Sequence, residues 1–515
     1  MRENDELLLC QKEVQALKQI ARADVALSGA RPTSASSVLT NFADSLILKQ
    51  KHQHSPSREN QAWNVFAVSK HAKQTVNPIR RICDTMAVSA NANKTMIKLH
   101  LGDPTLTGSL PPCPVAVEAI EAALRSRKYN GYGPAVGIFE AREAVARHFT
   151  RPQAPITSDD VVLASGCSHA LQMAIEALAD PADNILVPCP GFPLYSTLMR
   201  CHGIEASLLL ISAKHMFQDR RYQLDMREGA QINLEHLESL IDQRTRAIII
   251  NNPSNPTGIV FSKSHLEEVL RIAYKHRVPI IADEIYGELT YGNVQFVSLA
   301  TLEPKVPIIT CDGIGKRYVV PGWRLGWLIV HDRYGAFSEV RKGLVDLSQK
   351  IVGPCALIQG ALPMILSETP SSFFNEITGI ISENAATAYS RLSRVPGLHP
   401  VKPNGAMYMM IGIDEHLYGE ETSFVQGLIA EESVFCLPGS AFNAPSWFRI
   451  VLTYPLEVTV EACDRITEYC RRRLSTLRRQ PQMQVRSSPL LLYGKDADDF
   501  SSDTSESEWL ASESD

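Results

Sequence analysis

Long apolar runs, paired cysteines and an excess of either charge are all missing from this chain, and each absence removes a class of protein. No apolar stretch approaches the roughly 18 residues of a membrane-spanning helix, so no membrane is expected as a partner. The 51 Lys and Arg against 56 Asp and Glu leave a formal charge of −5. That balance lacks the basic footprint of a nucleic-acid binder, and no nucleic acid is expected. The 11 cysteines contain no CxxC pair and no metal-type spacing. A disulfide scaffold and a zinc module are therefore excluded, no metal is expected, and the thiols suit a reducing compartment. Glu3, Asp5, Glu6 and Glu13 argue against a mitochondrial presequence and a secretory signal, which leaves the cytoplasm as the expected location.

What is present is ordinary in amount and specific in order. At 515 residues, 44% hydrophobic, the chain is long enough for one large and one smaller domain. Leu7, Cys10, Val14, Leu17 and Ala21 repeat at helical spacing in an N-terminal appendage, which continues as a Ser, Gln and His-rich linker. The stretch "DADDFSSDTSESEWLASESD" at the other end is acidic and serine-rich, and it holds too little apolar surface to order itself. Between the ends, short apolar runs at 160–166, 184–190, 246–253, 278–287 and 306–313 predict buried strands. Helical stretches such as "HALQMAIEALAD" and "SKSHLEEVLRIAYKHR" separate several of them, so the expected fold is α/β with a largely parallel sheet. Ligands of such sheets gather in loops beyond the carboxyl ends of the strands.

Those loops carry a consistent chemistry. "LASGCSHALQMAIEA" passes from a strand end through a small polar turn into a helix, which would aim the backbone NH groups around Ser165, Gly166 and Cys167 at an anion such as phosphate. "NNPSNPTG" follows a strand with a rigid turn that can hold the Asn255 amide in a pocket. "ADEIYGELTYG" adds an acid, Asp283, and a phenol, Tyr286. "CDGIGKRYVVPGWRLGW" then supplies Lys316 and Arg324. A lysine amine condenses with an aldehyde, and an arginine fork holds a phosphate bidentately. Taken singly, each feature has a plain structural reading: a helix cap, a turn, a surface basic pair. Taken in order, they match a cofactor bearing an aldehyde, a phosphate, a ring nitrogen and a ring hydroxyl, the inventory of pyridoxal 5′-phosphate.

The segments "NPIR", "LHLGDPT", "KYNGYGPAVG", "PGFPLY", "NNPSNPTG", "ADEIYG", "GKRYVVPGWRLGW", "GAMYMM" and "FRIVLTYP", in this order over about residues 64 to 475, resemble the fold type I pyridoxal-phosphate aminotransferases. The resemblance runs towards members that act on aromatic amino acids. It implies a large cofactor-binding domain over 115–365, with a mostly parallel sheet flanked by helices. A smaller α+β domain would be built from 64–114 and 366–478, with an extension at 1–63 and a disordered acidic tail at 479–515.

By the same resemblance, Lys316 carries the cofactor, Arg324 holds its phosphate, and Asp283 pairs with the ring nitrogen. Tyr286 and Asn255 bond the ring oxygen, Phe192 stacks on the ring, and Tyr132 reaches the phosphate of a neighbouring subunit, which implies a homodimer with shared sites. Arg449 matches the arginine for the substrate α-carboxylate, Gly102 lies in the turn touching that carboxylate, and Asn77 and Arg80 stand near the substrate side chain. Trp323 and Trp327 are expected to pack around the site. The implied reaction moves an amino group from tyrosine to 2-oxoglutarate, giving 4-hydroxyphenylpyruvate and glutamate.

Three positions depart from the family pattern: Gly315 and Tyr318 beside the lysine, and Asp312, whose carboxylate would repel a phosphate if it pointed inward. Preference for alanine or for other aromatic donors, or carbon–sulfur lyase chemistry, would use much the same residues. A non-catalytic interaction protein is the alternative of another class; the retained lysine, aspartate and two arginines argue against it.

Overall fold

In the computed structural model, residues 67–86, 88–105, 110–203 and 220–479 are described. The expected N-terminal helix and the acidic tail lie outside them. By packing, the chain divides into Met1–Ser69, of which only residues 67–69 are described, and a unit from Lys70 onward that holds every sheet among the described residues.

The first strand, β1 (Ile97–Lys98), is two residues long and pairs with a strand from the far end of the chain. An eight-stranded sheet follows, built from β2 (Val161–Ala164), β3 (Asn184–Cys189), β4 (Arg221–Asp225), β5 (Gln231–Ile232), β6 (Thr245–Asn251), β7 (Ile280–Asp283), β8 (Ile308–Gly313) and β9 (Gly326–His331). Its order is β2-β9-β8-β7-β6-β3-β4-β5. The central pairs are parallel, and β9 runs antiparallel to both of its neighbours. The five apolar runs read from the sequence are β2, β3, β6, β7 and β8.

Those runs read as continuous because both faces of the sheet are covered. Ile248, Ile250, Ile280 and Ala282 pack into one core, while Ile249, Ile281 and Ile309 pack into another on the opposite face. Each of these isoleucines contributes roughly 1.5–3 kcal/mol on burial. The helix Lys263–His276 buries Leu266, Val269, Leu270 and Ala273 in the first core, and the Ser262 side chain caps it by accepting from the His265 NH at 3.2 Å. The helix Cys167–Leu178 buries Leu171, Ala174 and Ile175 in the second.

A four-stranded sheet near the C-terminus joins β10 (Leu398–Pro400), β11 (Tyr408–Ile413), β13 (Leu437–Pro438) and β14 (Trp447–Val451) in the order β10-β11-β14-β13, all antiparallel. The remaining strand, β12 (Val434–Phe435), is the parallel partner of β1. That short ladder places residues 97–102 beside β14: the Val451 NH donates to the Leu99 carbonyl at 3.1 Å.

Candidate active site

The carboxyl ends of β2, β3, β6, β7 and β8 deliver most of the expected residues to one region, and β14 closes it from the small sheet. Lys316 stands on a single helical turn, Ile314–Arg317, directly after β8. Its Nζ donates to the Gly102 carbonyl at 2.6 Å and lies 6.0 Å from the centroid of the Tyr286 ring. A Cβ on Gly102 would come 2.2 Å from the Tyr408 hydroxyl, so a larger residue there would have to displace that ring.

Asp283, the last residue of β7, is 2% exposed. It accepts from the Tyr195 hydroxyl at 2.5 Å and the Ile285 NH at 3.3 Å, and the Cys167 thiol lies 3.7 Å away. Burial lifts its carboxyl to about 6 against the pull of these donors. The same burial, next to Asp283, pushes the Cys167 thiol well up, so it is a neutral neighbour. Glu284, on the following residue, is lifted further, to about 8, by burial against donors from Ser298 and the Leu299 NH.

Arg449 on β14 is 2% exposed. It donates to Asn255 Oδ1 at 2.8 Å and to the His100 carbonyl at 2.9 Å, and its Nε has no partner. The guanidinium carbon sits 4.2 Å from the Tyr408 ring centroid and 4.7 Å from that of Phe442. Burial pulls its pKa down. Tyr286 and Tyr408 share a hydroxyl–hydroxyl bond of 2.7 Å beside it.

Ser165 and Gly166 turn β2 into the helix Cys167–Leu178, with Gly166 at φ 80°. Arg324 leans over this turn, donating to the Ser165 carbonyl at 3.3 Å and the Pro321 carbonyl at 3.0 Å. A Cβ on Gly166 would lie 2.5 Å from the Arg324 guanidinium. The Phe192 ring stands edge-on to Tyr195 at 5.8 Å, at the mouth of β3.

The other expected residues are placed differently. Tyr132 is 95% exposed and does not join these side chains. Asn77 is the N-cap of the helix Pro78–Thr85, its Oδ1 accepting from the Ile79 and Arg80 NH groups at 3.1 and 3.3 Å. Arg80 is exposed on that helix, while Ile79, Ile82 and Cys83 pack against the cluster of Leu437, Ala441 and Phe442, the last being the ring beside Arg449. Trp327 is fully buried and Trp323 packs against the same core. Asp312 turns away from Lys316 and forms an ion pair of 2.7 Å with Arg317 on the other face of the sheet. There it lines a cavity of about 330 Å³, together with Thr310, Glu284, Glu288 and His331. Tyr195, Tyr408 and His100 were not singled out from the sequence, although each lies inside a quoted segment: "PGFPLY", "GAMYMM" and "LHLGDPT".

Electrically the site is incomplete by itself. Among the described residues no carboxylate pairs with Lys316, Arg324 or Arg449, and no cation pairs with Asp283. Asp283 and Arg449 are buried, and a buried charge without an opposite partner is costly; with the half-buried Lys316 and the exposed Arg324 they make a set suited to a ligand carrying both signs. The family model for aminotransferase class I and II matches residues 94–466. The chain belongs to the class I and II aminotransferases. It is 53% identical over 428 residues to a tyrosine aminotransferase of Caenorhabditis elegans, covering 83% of this chain and 89% of that one. It is 47% identical over 412 residues to the tyrosine aminotransferase of Homo sapiens, covering 79% and 88%. Among solved structures, a tyrosine aminotransferase from Leishmania infantum superposes with a TM-score of 0.74 at 31% identity, covering 80% of this chain and 99% of that one.

As a member of this family the aminotransferase works with pyridoxal 5′-phosphate, on amino acid and keto acid substrates. The residues present fit that cofactor: a lone buried carboxylate suits a ring N–H, an amine suits an aldehyde, and an arginine over a glycine turn at a helix N-terminus suits a phosphate. Among the described residues, no helix is long and apolar enough to cross a membrane.

Proposed function

We propose that this aminotransferase takes the amino group from L-tyrosine, releases 4-hydroxyphenylpyruvate, and passes the group to 2-oxoglutarate to give L-glutamate. The donor assignment rests on the 53% identity to a tyrosine aminotransferase across 83% of the chain. The bound cofactor supplies an electron sink next to the substrate Cα. Lys316 would carry the cofactor through its amine, and the same amine, when free, would be the base that takes the proton from the substrate Cα. Asp283 stays ionised against the protonated ring nitrogen, and the Tyr195 hydroxyl holds it in place. Tyr286 and the Asn255 amide would donate to the ring oxygen, and Phe192 would pack on the ring. Arg324, with Ser165 and the NH groups of Gly166 and Cys167, holds the phosphate.

Arg449 takes the α-carboxylate shared by donor and acceptor. Its fork is already oriented by Asn255 and His100, so little freedom is lost when substrate arrives. Gly102 keeps the carboxylate turn close to Lys316. Asn77 and Arg80, on the helix that packs over Phe442, face the distal end of the substrate, where Arg80 would meet the second carboxylate of 2-oxoglutarate. Tyr132, being exposed, reaches the phosphate site of a second copy of this chain in a homodimer. Ten cysteines among the described residues are free, which supports a reducing, cytoplasmic setting.

The test is direct. Purified holoprotein is mixed with tyrosine, then with other single amino acids in turn, and the loss of cofactor absorbance is followed. Tyrosine is expected to respond at the lowest concentration; a response to alanine with none to tyrosine overturns the donor assignment.

A further inference from the structure

β8 ends in two side chains that leave the sheet on opposite faces. Cys311 is in register with Asp283 and shares its face; Asp312, one residue on, points the other way. The chain then makes one helical turn, Ile314–Arg317, in which successive side chains diverge by roughly 100°. Lys316 goes to the Gly102 carbonyl, and Arg317 goes back under the sheet. There its Nη2 donates to Asp312 Oδ2 at 2.7 Å and its Nη1 to Glu288 Oε2 at 2.8 Å. Arg317 is 2% exposed, and its guanidinium carbon lies 5.5 Å from the centroid of the Phe149 ring.

A four-residue helix does not hold its own shape, since a single turn fixes more dihedrals than its hydrogen bonds repay. This one also runs into Val319 at φ 58°, a left-handed conformation that a β-branched residue adopts only when its surroundings force it. The ion-paired guanidinium ties the end of the turn to the sheet, beside the backbone bond from the Ile314 NH to the Leu325 carbonyl at its start. Cys311 and Asp312 lie on one strand, so the side chain that grips Arg317 is part of the same rigid sheet that carries Asp283.

We propose that Arg317 is a positioning residue for Lys316: clamped between Asp312 and Glu288 on the far face of the sheet, it sets where the lysine amine stands. The proposal rests on Lys316 being the lysine that carries the cofactor. It therefore begins with a borohydride-reduced wild-type holoprotein, mapped by peptide; a label on any other lysine overturns that reading and the clamp with it.

With the label on Lys316, three variants decide the clamp: Asp312→Asn, Arg317→Lys, and Arg317→Met combined with Asp312→Asn, which leaves no lone charge buried. The cofactor-free proteins are first compared by thermal unfolding, then mixed with pyridoxal 5′-phosphate, and the rate of covalent capture is read from absorbance. The double variant is expected to capture roughly 10- to 100-fold more slowly, the scale of an ångström-sized misplacement of a reacting group, with kcat lowered and KM for tyrosine within about two-fold of wild type. Arg317→Lys should recover part of the rate. Should the double variant fail to fold, Asp312→Asn alone decides, since it removes the charged grip of the sheet and leaves the arginine paired only with the half-exposed Glu288: slower capture supports the clamp. Folded variants that capture at the wild-type rate overturn it, as does a raised KM with unchanged capture.

Discussion

Asp283 is a carboxylate stranded in protein interior until a cation reaches it. A hydrogen bond to a charged group contributes roughly 1.5–3 kcal/mol, so Asp283→Asn should weaken cofactor binding by roughly 10- to 150-fold. Equilibrium titration of the cofactor-free variant checks this, and Tyr195→Phe, which removes only the orienting hydroxyl, should cost less. Glu284, its neighbour on the opposite face, behaves differently because no step of the reaction needs its charge. Its folded-state pKa of about 8 is raised from 4.5 by burial. The folded chain therefore keeps a proton that the unfolded chain releases, and this group's contribution to stability is present below about pH 4.5 and lost as pH rises towards about 8. At about 1.36 kcal/mol per unit, the loss amounts to a few kcal/mol. Denaturant unfolding at about pH 5 and about pH 8 should show Glu284→Gln losing less stability across that interval than wild type does.

At the scale of elements, the site depends on how closely β9 passes the turn after β2. A Cβ on Gly326 would lie 2.5 Å from the Cys167 NH and 2.6 Å from the Gly166 carbonyl carbon, both backbone atoms that cannot rotate away. Gly326→Ala should displace the phosphate turn and cost roughly 1–3 kcal/mol of stability, with cofactor affinity falling as well. Paired unfolding and cofactor titrations separate the two losses. This approach is also where the sequence stops being legible. β6, β7 and β8 announce themselves because burial on both faces makes them unbroken apolar runs, and Asp283 and Lys316 follow from standing at their ends. β9 does not, since "GWLIVH" follows a turn of mixed polarity; nor do β1 and β12, whose two residues apiece carry no period. The Asn255–Arg449 bond joins residues 194 apart, and no local pattern records it. Asp312 is the clearest case: the residue next to a glycine and four before the lysine reads as a threat to the phosphate, and only strand alternation in the folded sheet sends it the other way.

For the whole molecule, the exposed Tyr132 ring makes the sharpest prediction. If it serves a neighbouring copy, inactive Lys316→Ala chains mixed with inactive Tyr132→Ala chains should regain activity, because one of the two sites in each hybrid has both residues. Roughly a quarter of the sites is the ceiling for equal mixing, as half the dimers are hybrids with one complete site each. The activity of the mixture after verified subunit exchange checks it, and exchange without recovery would show each site to be built within one chain.

The β1–β12 ladder carries a consequence for synthesis. Ile97 pairs with Val434, the Thr95 and Lys98 carbonyls accept from Arg465 and Tyr454, and Gly102, whose carbonyl receives the Lys316 amine, lies a few residues after β1. A ribosome adding roughly 5–20 residues per second makes the large sheet, and the lysine with it, well before the strands that hold Gly102 and the arginine on β14 exist. The nascent chain thus passes through a period in which its reactive amine is presented without the wall that will enclose it. Cofactor captured during translation would be held by the sheet alone, before β14 and the helix Leu456–Arg479, whose Arg465 donates to the Thr95 carbonyl, have been made.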